Sequence, residues 1–96
     1  MIRHICMFTL KEEDKEKNIA EFCERAEKLR AIEEVKGYNV VRNVAGTPDS
    51  NYDVALIFDF ETVEDLDNYQ KSEIHLEFGA FVSSVRVNRA CIDIEI

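Results

Sequence analysis

The sequence predicts an α+β domain whose elements run β-α-β-β-α-β, with the four strands in one antiparallel sheet. Three observations predict it. Four segments, two of them near the ends of the sequence, alternate in side-chain character with a period of two. A long stretch after the first repeats its apolar residues at three- and four-residue steps. A second helical stretch, interrupted once, separates the third strand from the fourth.

The first strand is Ile2 to Leu10. Ile2, His4, Cys6, Phe8 and Leu10 share one parity, and Arg3, Ile5, Met7 and Thr9 the other. Both faces therefore carry apolar side chains, which a strand with one wet face does not need. The first helix is expected from Glu13 to Val35, with Ile19, Phe22, Cys23, Ala26, Leu29 and Ile32 as its inner stripe and Gly37 as a terminator beyond it. The mixed charges of Lys11 to Lys17 read as a solvated first turn.

Tyr38 to Val44 is the second strand, followed by Gly46-Thr47-Pro48-Asp49-Ser50-Asn51, the densest turn chemistry in the sequence. Asp53 to Phe60 is the third, with Val54, Leu56, Phe58 and Phe60 on one side. Thr62 is placed to cap a second helix, Asp65 following at the capping-box spacing, and Val63, Leu66 and Tyr69 form its inner stripe. The helical pattern breaks near Ser72 and resumes from Ile74 to about Val82. Arg86 to Ile96 closes the order as a strand, with Ala90, Ile92, Ile94 and Ile96 on one parity.

This order is the split βαβ pattern of ferredoxin-like folds, in which right-handed crossovers put both helical regions on one face of the sheet. The other face should then be polar, yet it holds Ile5, Met7, Ala55, Ile57, Ile92 and Ile94. Each large aliphatic left wet forgoes roughly 1.5–3 kcal/mol of burial. Several together approach the whole stability of a small domain, roughly 5–15 kcal/mol. A second copy packing sheet on sheet into a dimeric α/β barrel resolves this. A bulge near Asn88 that shifts strand parity is the competing explanation.

Composition bounds the rest. The 96 residues fit one domain, residues 1–96. A net charge of −8 argues against nucleic acid and anionic membrane surfaces as partners. No apolar run approaches a membrane span, and the opening MIRHICMFTL is too alternating for a signal segment, so a cytoplasmic location is expected. Cys6, Cys23 and Cys91 lie far apart, an odd number with no metal-ligand spacing, and are read as reduced thiols acting as small hydrophobes. Three glycines leave no phosphate loop or dinucleotide fingerprint, and neither a cofactor nor a metal is expected.

Two segments carry a resemblance. Ile2-Arg3-His4-Ile5-Cys6-Met7-Phe8 resembles the opening strand of stress-responsive dimeric A/B barrel domains. Tyr69-Gln70-Lys71-Ser72-Glu73-Ile74-His75-Leu76-Glu77-Phe78 is similar to that family's Tyr-x-x-His-Pro-x-His-x-x-Phe segment, with Ser72 and Glu73 replacing its first His and its Pro. The resemblance spans essentially the whole sequence. It implies the dimeric barrel, and it assigns Tyr69 and His75 the places of the catalytic pair of a plant polyketide cyclase of the family. Gly79 follows Phe78 as it does in that cyclase, and His4 would line the same cavity.

Chemically, His4, Tyr69 and His75 form a candidate acid–base set. An imidazole exchanges protons near neutrality, and a phenol donates to an oxygen on which charge develops. Such a pair suits proton abstraction beside a carbonyl. Cys6, Phe8, Phe22, Leu56, Phe78 and Gly79 are the expected pocket lining, suited to a small apolar or aromatic molecule. The three polar residues serve equally well as satisfied structural groups. Three roles follow: a small-molecule-binding homodimer, a cofactor-free cyclase, isomerase or monooxygenase-like enzyme, and a stress-protective oligomer without chemistry.

Overall fold

A computed structural model describes all residues, Met1–Ile96. Its elements are β1 (Ile2–Leu10), α1 (Lys15–Ala26), a 3₁₀ turn over Glu27–Ala31, β2 (Gly37–Arg42), β3 (Val54–Phe60), α2 (Val63–Lys71), α3 (Glu73–Val85) and β4 (Arg86–Glu95). The strands form one antiparallel sheet in the order β2-β3-β1-β4, with the helices on one face, a ferredoxin-like arrangement. β1 and β4 pair along nearly their full lengths, so the two ends of the sequence lie side by side.

The alternation in β1 and β3 becomes the core. His4, Cys6, Phe8 and Leu10 are buried beneath the helices with Val54, Leu56, Phe58 and Phe60. From above, Ile19, Phe22, Ala26 and Leu29 pack down, joined by Leu66, Tyr69, Phe78 and Val82. The opposite sheet face keeps Ile5, Met7, Ala55 and Ile57 only partly covered, with Val41, Ile92 and Ile94 exposed.

Several boundaries differ from expectation. α1 ends at Ala26 and tightens into the 3₁₀ turn before Ile32 turns extended. Gly37 opens β2 and does not end a helix: a Cβ there would stand 2.6 Å from Asp59 Oδ2, so only glycine lets that carboxylate sit across the strand pair. Asp59 is there gripped by Arg3 through Nε at 2.9 Å and Nη2 at 3.1 Å. Val63 is exposed and not part of the inner stripe of α2.

A register shift does occur in β4, at Val87. Thr9 pairs with Asn88 but Leu10 pairs with Arg86, leaving Val87 as the extra residue. It lies before the Ala90–Ile94 run, whose aliphatics stay on the uncovered face. The bulge therefore does not remove the exposed apolar surface.

The cysteine expectation is corrected. Cys6 and Cys91, opposite each other in the β1–β4 register, are joined as a disulfide, and Cys23 alone is free. The pairing joins residues 85 positions apart, which only strand order brings together. No helix is long and apolar enough to cross a membrane.

Candidate functional site

The connection between α2 and α3 organises the site. Ser72 ends α2 and caps α3: its hydroxyl donates to the Tyr69 carbonyl at 2.9 Å and accepts from the His75 amide at 3.2 Å. One serine side chain thus satisfies backbone groups at two helix ends that would otherwise lack partners. Thr62 begins α2 in the same way, its Oγ1 accepting from the Asp65 amide at 3.0 Å. The chain turns between the helices with no proline at position 73, and the turn sets the Tyr69 and His75 rings edge to face, centroids 4.7 Å apart.

A cleft of about 120 Å³ opens beside His75. Its floor comes from alternate residues of β1, His4, Cys6 and Phe8, with Leu56 of β3. Its roof is one face of α3, where His75, Phe78, Gly79 and Val82 recur at the spacing that stacks side chains on a helix. Gly79 leaves open space, since an added Cβ would meet nothing within 4 Å. Arg86 and Arg89 of β4 stand on the cleft wall, with Gln70 and Ser83.

His4 is 3% exposed, and its Nδ1 is hydrogen-bonded to the Asp93 carboxylate across the β1–β4 pair. A carboxylate only accepts, so Nδ1 of His4 carries the proton in this contact. Tyr69 is fully buried and its ring lies 6.4 Å from that of His4. Burial raises the Tyr69 phenol above its ordinary value, so it stays protonated. Burial lowers His75, assisted by the nearby charges of His4 and Arg89 and opposed by the Gln70 backbone. His75 is therefore a neutral base at neutral pH. The Tyr69 hydroxyl and His75 Nδ1 are the buried side-chain polar atoms without a hydrogen-bond partner.

The structure brings His4, Tyr69 and His75 together in one cluster. Of the expected lining, Cys6, Phe8, Leu56, Phe78 and Gly79 face the cleft. Phe22 does not: it is fully buried one layer behind, its ring 5.5 Å from Phe8 and 5.2 Å from Phe78. Tyr69 also stands behind the wall, against His75. Val82 was legible as the next helical step after Phe78. Arg89 lies on the parity opposite Ala90, Ile92 and Ile94, whereas Arg86 was not legible, because the bulge at Val87 is what turns it onto the helix-covered face.

His4, Cys6 and Cys91 place one donor atom each within 4.8 Å of one another. With both sulfurs spent in the disulfide, only the His4 nitrogen is left as a metal donor. A larger depression of about 710 Å³ lies between the start of α1 and the 43–51 turn. Its charged groups other than Asp49 are paired among themselves, Arg42 with Glu16 and Lys15 with Glu12 and Asp53, and it holds no buried side-chain donor or acceptor without a partner. The chemistry points to the smaller cleft.

The profile of the Stress Responsive A/B Barrel Domain matches residues 2–96. The chain belongs to this family. A dimeric protein of unknown function and ferredoxin-like fold from Bacteroides fragilis is 27% identical to this A/B barrel domain, with a TM-score of 0.87 over 99% of this chain and 95% of that one. A Dabb family protein from Mesorhizobium loti is 24% identical, with a TM-score of 0.83 over 99% and 95% of the two chains. The hydroxynitrile lyase of Passiflora edulis shares the fold at 20% identity, with a TM-score of 0.84 over 99% and 92%. No curated protein matches this chain in sequence.

Proposed function

We propose that this A/B barrel domain binds a small molecule in the cleft beside His75 and transfers a proton on it without a cofactor. His75 takes a proton from carbon next to a carbonyl. The Tyr69 hydroxyl then donates a hydrogen bond to the enolate oxygen, where the negative charge collects. His4, held by Asp93, keeps its orientation and lines the floor.

One observation carries the reading: the two buried polar atoms lacking partners belong to rings in contact, beside an open cleft. Structural His and Tyr residues find partners when buried, and unpaired groups call for another explanation. A substrate oxygen and a substrate proton would supply both missing partners. Tyr69 stands behind the wall and His75 Nδ1 is itself covered, so the His75 ring must swing aside for a substrate to meet both atoms. The cleft volume is below the 300–1,000 Å³ of typical ligand pockets. It suits a single ring or a short acyl chain.

The test is solvent deuterium exchange at the activated carbon of small aryl ketones and 1,3-diketones, followed by NMR. Exchange should exceed the buffer rate and collapse in His75→Ala. Exchange that stays at the wild-type rate in both His75→Ala and Tyr69→Phe would remove these roles. The third role, an oligomer without chemistry, predicts a cleft packed shut, and the open volume beside His75 speaks against it.

The proposed working form is a homodimer closed through the uncovered sheet face. Its support is the exposure of Ile92 at 59% and Ile94 at 37%, together with the dimeric state of the Bacteroides fragilis protein. A cytoplasmic setting belongs to the same proposal. It requires Cys6 and Cys91 to be thiols in the cell, since cytosolic pairs are kept reduced.

A further inference from the structure

We infer that the cleft takes a small monocarboxylate, its apolar body against Phe8, Phe78 and Val82 and its carboxylate held by Arg86 and Arg89. The inference rests on the cleft reading above and adds the ligand's charge.

The sequence has 20 acidic and 12 basic residues, net −8. The cleft wall nevertheless has no Asp or Glu, and has two Arg and two His. Elsewhere the acidic surface neutralises its arginines. Arg3 pairs with Asp59, Arg25 with Glu21, Arg30 with Glu27 and Arg42 with Glu16. Arg86 and Arg89 alone have neither an ion pair nor a side-chain hydrogen bond. Asp93, four residues after Arg89 and on the same face, is engaged by His4.

The backbone builds this placement. Residues three apart in a regular strand point to opposite faces. The extra residue at Val87 cancels that, so Arg86 lies opposite Leu10 and Arg89 opposite Phe8, both on the helix-covered side. A bulge beside a site commonly re-aims a side chain in this way. Two guanidinium groups offer the forked donors that match a carboxylate. The apolar floor and roof, at about 120 Å³, favour a compact hydrophobic body over a bare inorganic anion or a nucleotide.

The experiment compares benzoate, benzamide and inorganic phosphate binding to the full-length protein by amide chemical-shift titration, read at Phe8, Gly79 and Arg89. Benzoate should bind roughly tenfold or more tightly than benzamide, an isostere lacking the charge. That preference should shrink in Arg89→Gln, an exposed position where folding is retained, and in high salt. The ligand comparison needs no variant, so it stands even if Arg86→Gln fails to fold. Benzamide binding as tightly as benzoate would overturn the carboxylate while leaving the cleft reading intact. Phosphate displacing benzoate at equal concentration would also overturn it. No shift with any of the three would sink both.

Discussion

The imidazole of His75 meets the ring of Tyr69 edge to face at 4.7 Å, and each carries a buried polar atom with no hydrogen-bond partner in good geometry. Stability and function therefore pull apart at this pair. In Tyr69→Phe an unsatisfied hydroxyl disappears from the core, which should leave stability unchanged or raise it by about 1 kcal/mol. Proton exchange on a ketone should meanwhile fall by about 10²–10³-fold, the usual loss of an oxyanion donor. Urea denaturation and exchange kinetics on the same variant check both halves. A loss of stability in Tyr69→Phe would mean that the hydroxyl has a partner after all.

His75 gives the pH dependence. Burial favours its neutral ring, so the folded protein takes up this proton at lower pH than the unfolded chain, whose ordinary value is 6.5. The stability linked to His75 is thus complete above pH 6.5 and is lost as pH falls through the depressed folded value. Activity that needs the neutral base should persist below pH 6.5 before it declines. Asp59, lowered by its hydrogen bond and charge contact with Arg3, acts in the same direction at more acidic pH. Unfolding midpoints of wild type and His75→Gln from pH 5 to 8 should converge at the acid end relative to their difference at pH 8.

Ser72→Ala removes the hydroxyl that joins the Tyr69 carbonyl to the His75 amide. The expected cost is about 1 kcal/mol, the ordinary value of an N-cap. Exchange activity should fall further than that stability loss explains, because the turn orients both rings. Ser72→Asp, which can still accept from the His75 amide, should restore most of the stability.

Reduction should loosen the β1–β4 pair. The Cys6–Cys91 bond closes nearly the whole sequence into a loop, so Cys91→Ala should be less stable than the oxidised protein by about 2–4 kcal/mol. In excess reductant the two should unfold together. A gap that survives reduction would trace to packing around Cys6 and not to the covalent link.

The uncovered sheet face predicts association. Sedimentation at micromolar concentration should show a dimer, and Ile92→Asp should convert it to monomer with loss of stability. A wild-type chain that sediments as a stable monomer would remove the barrel.

Much of this was written locally in the sequence. Alternation in Ile2–Leu10 and Val54–Phe60 marked which residues face the helices, because side-chain direction in a strand depends only on parity. Thr62 marked a helix start, because capping is a contact between residues three apart, and the break in apolar periodicity near Ser72 marked the join that its cap completes. The Tyr69–Phe78 segment carried the family resemblance and the acid–base pair for the same reason. What the tertiary structure decided was which strand lies beside which. The order β2-β3-β1-β4 brings the two ends of the sequence together, and with them Cys6 to Cys91 and His4 to Asp93. The bulge at Val87 turns Arg86 into the cleft, and a second aromatic layer withdraws Phe22 from it. Periodicity records the face a residue belongs to. Its neighbour on that face depends on strand order and register, which are properties of the packed sheet.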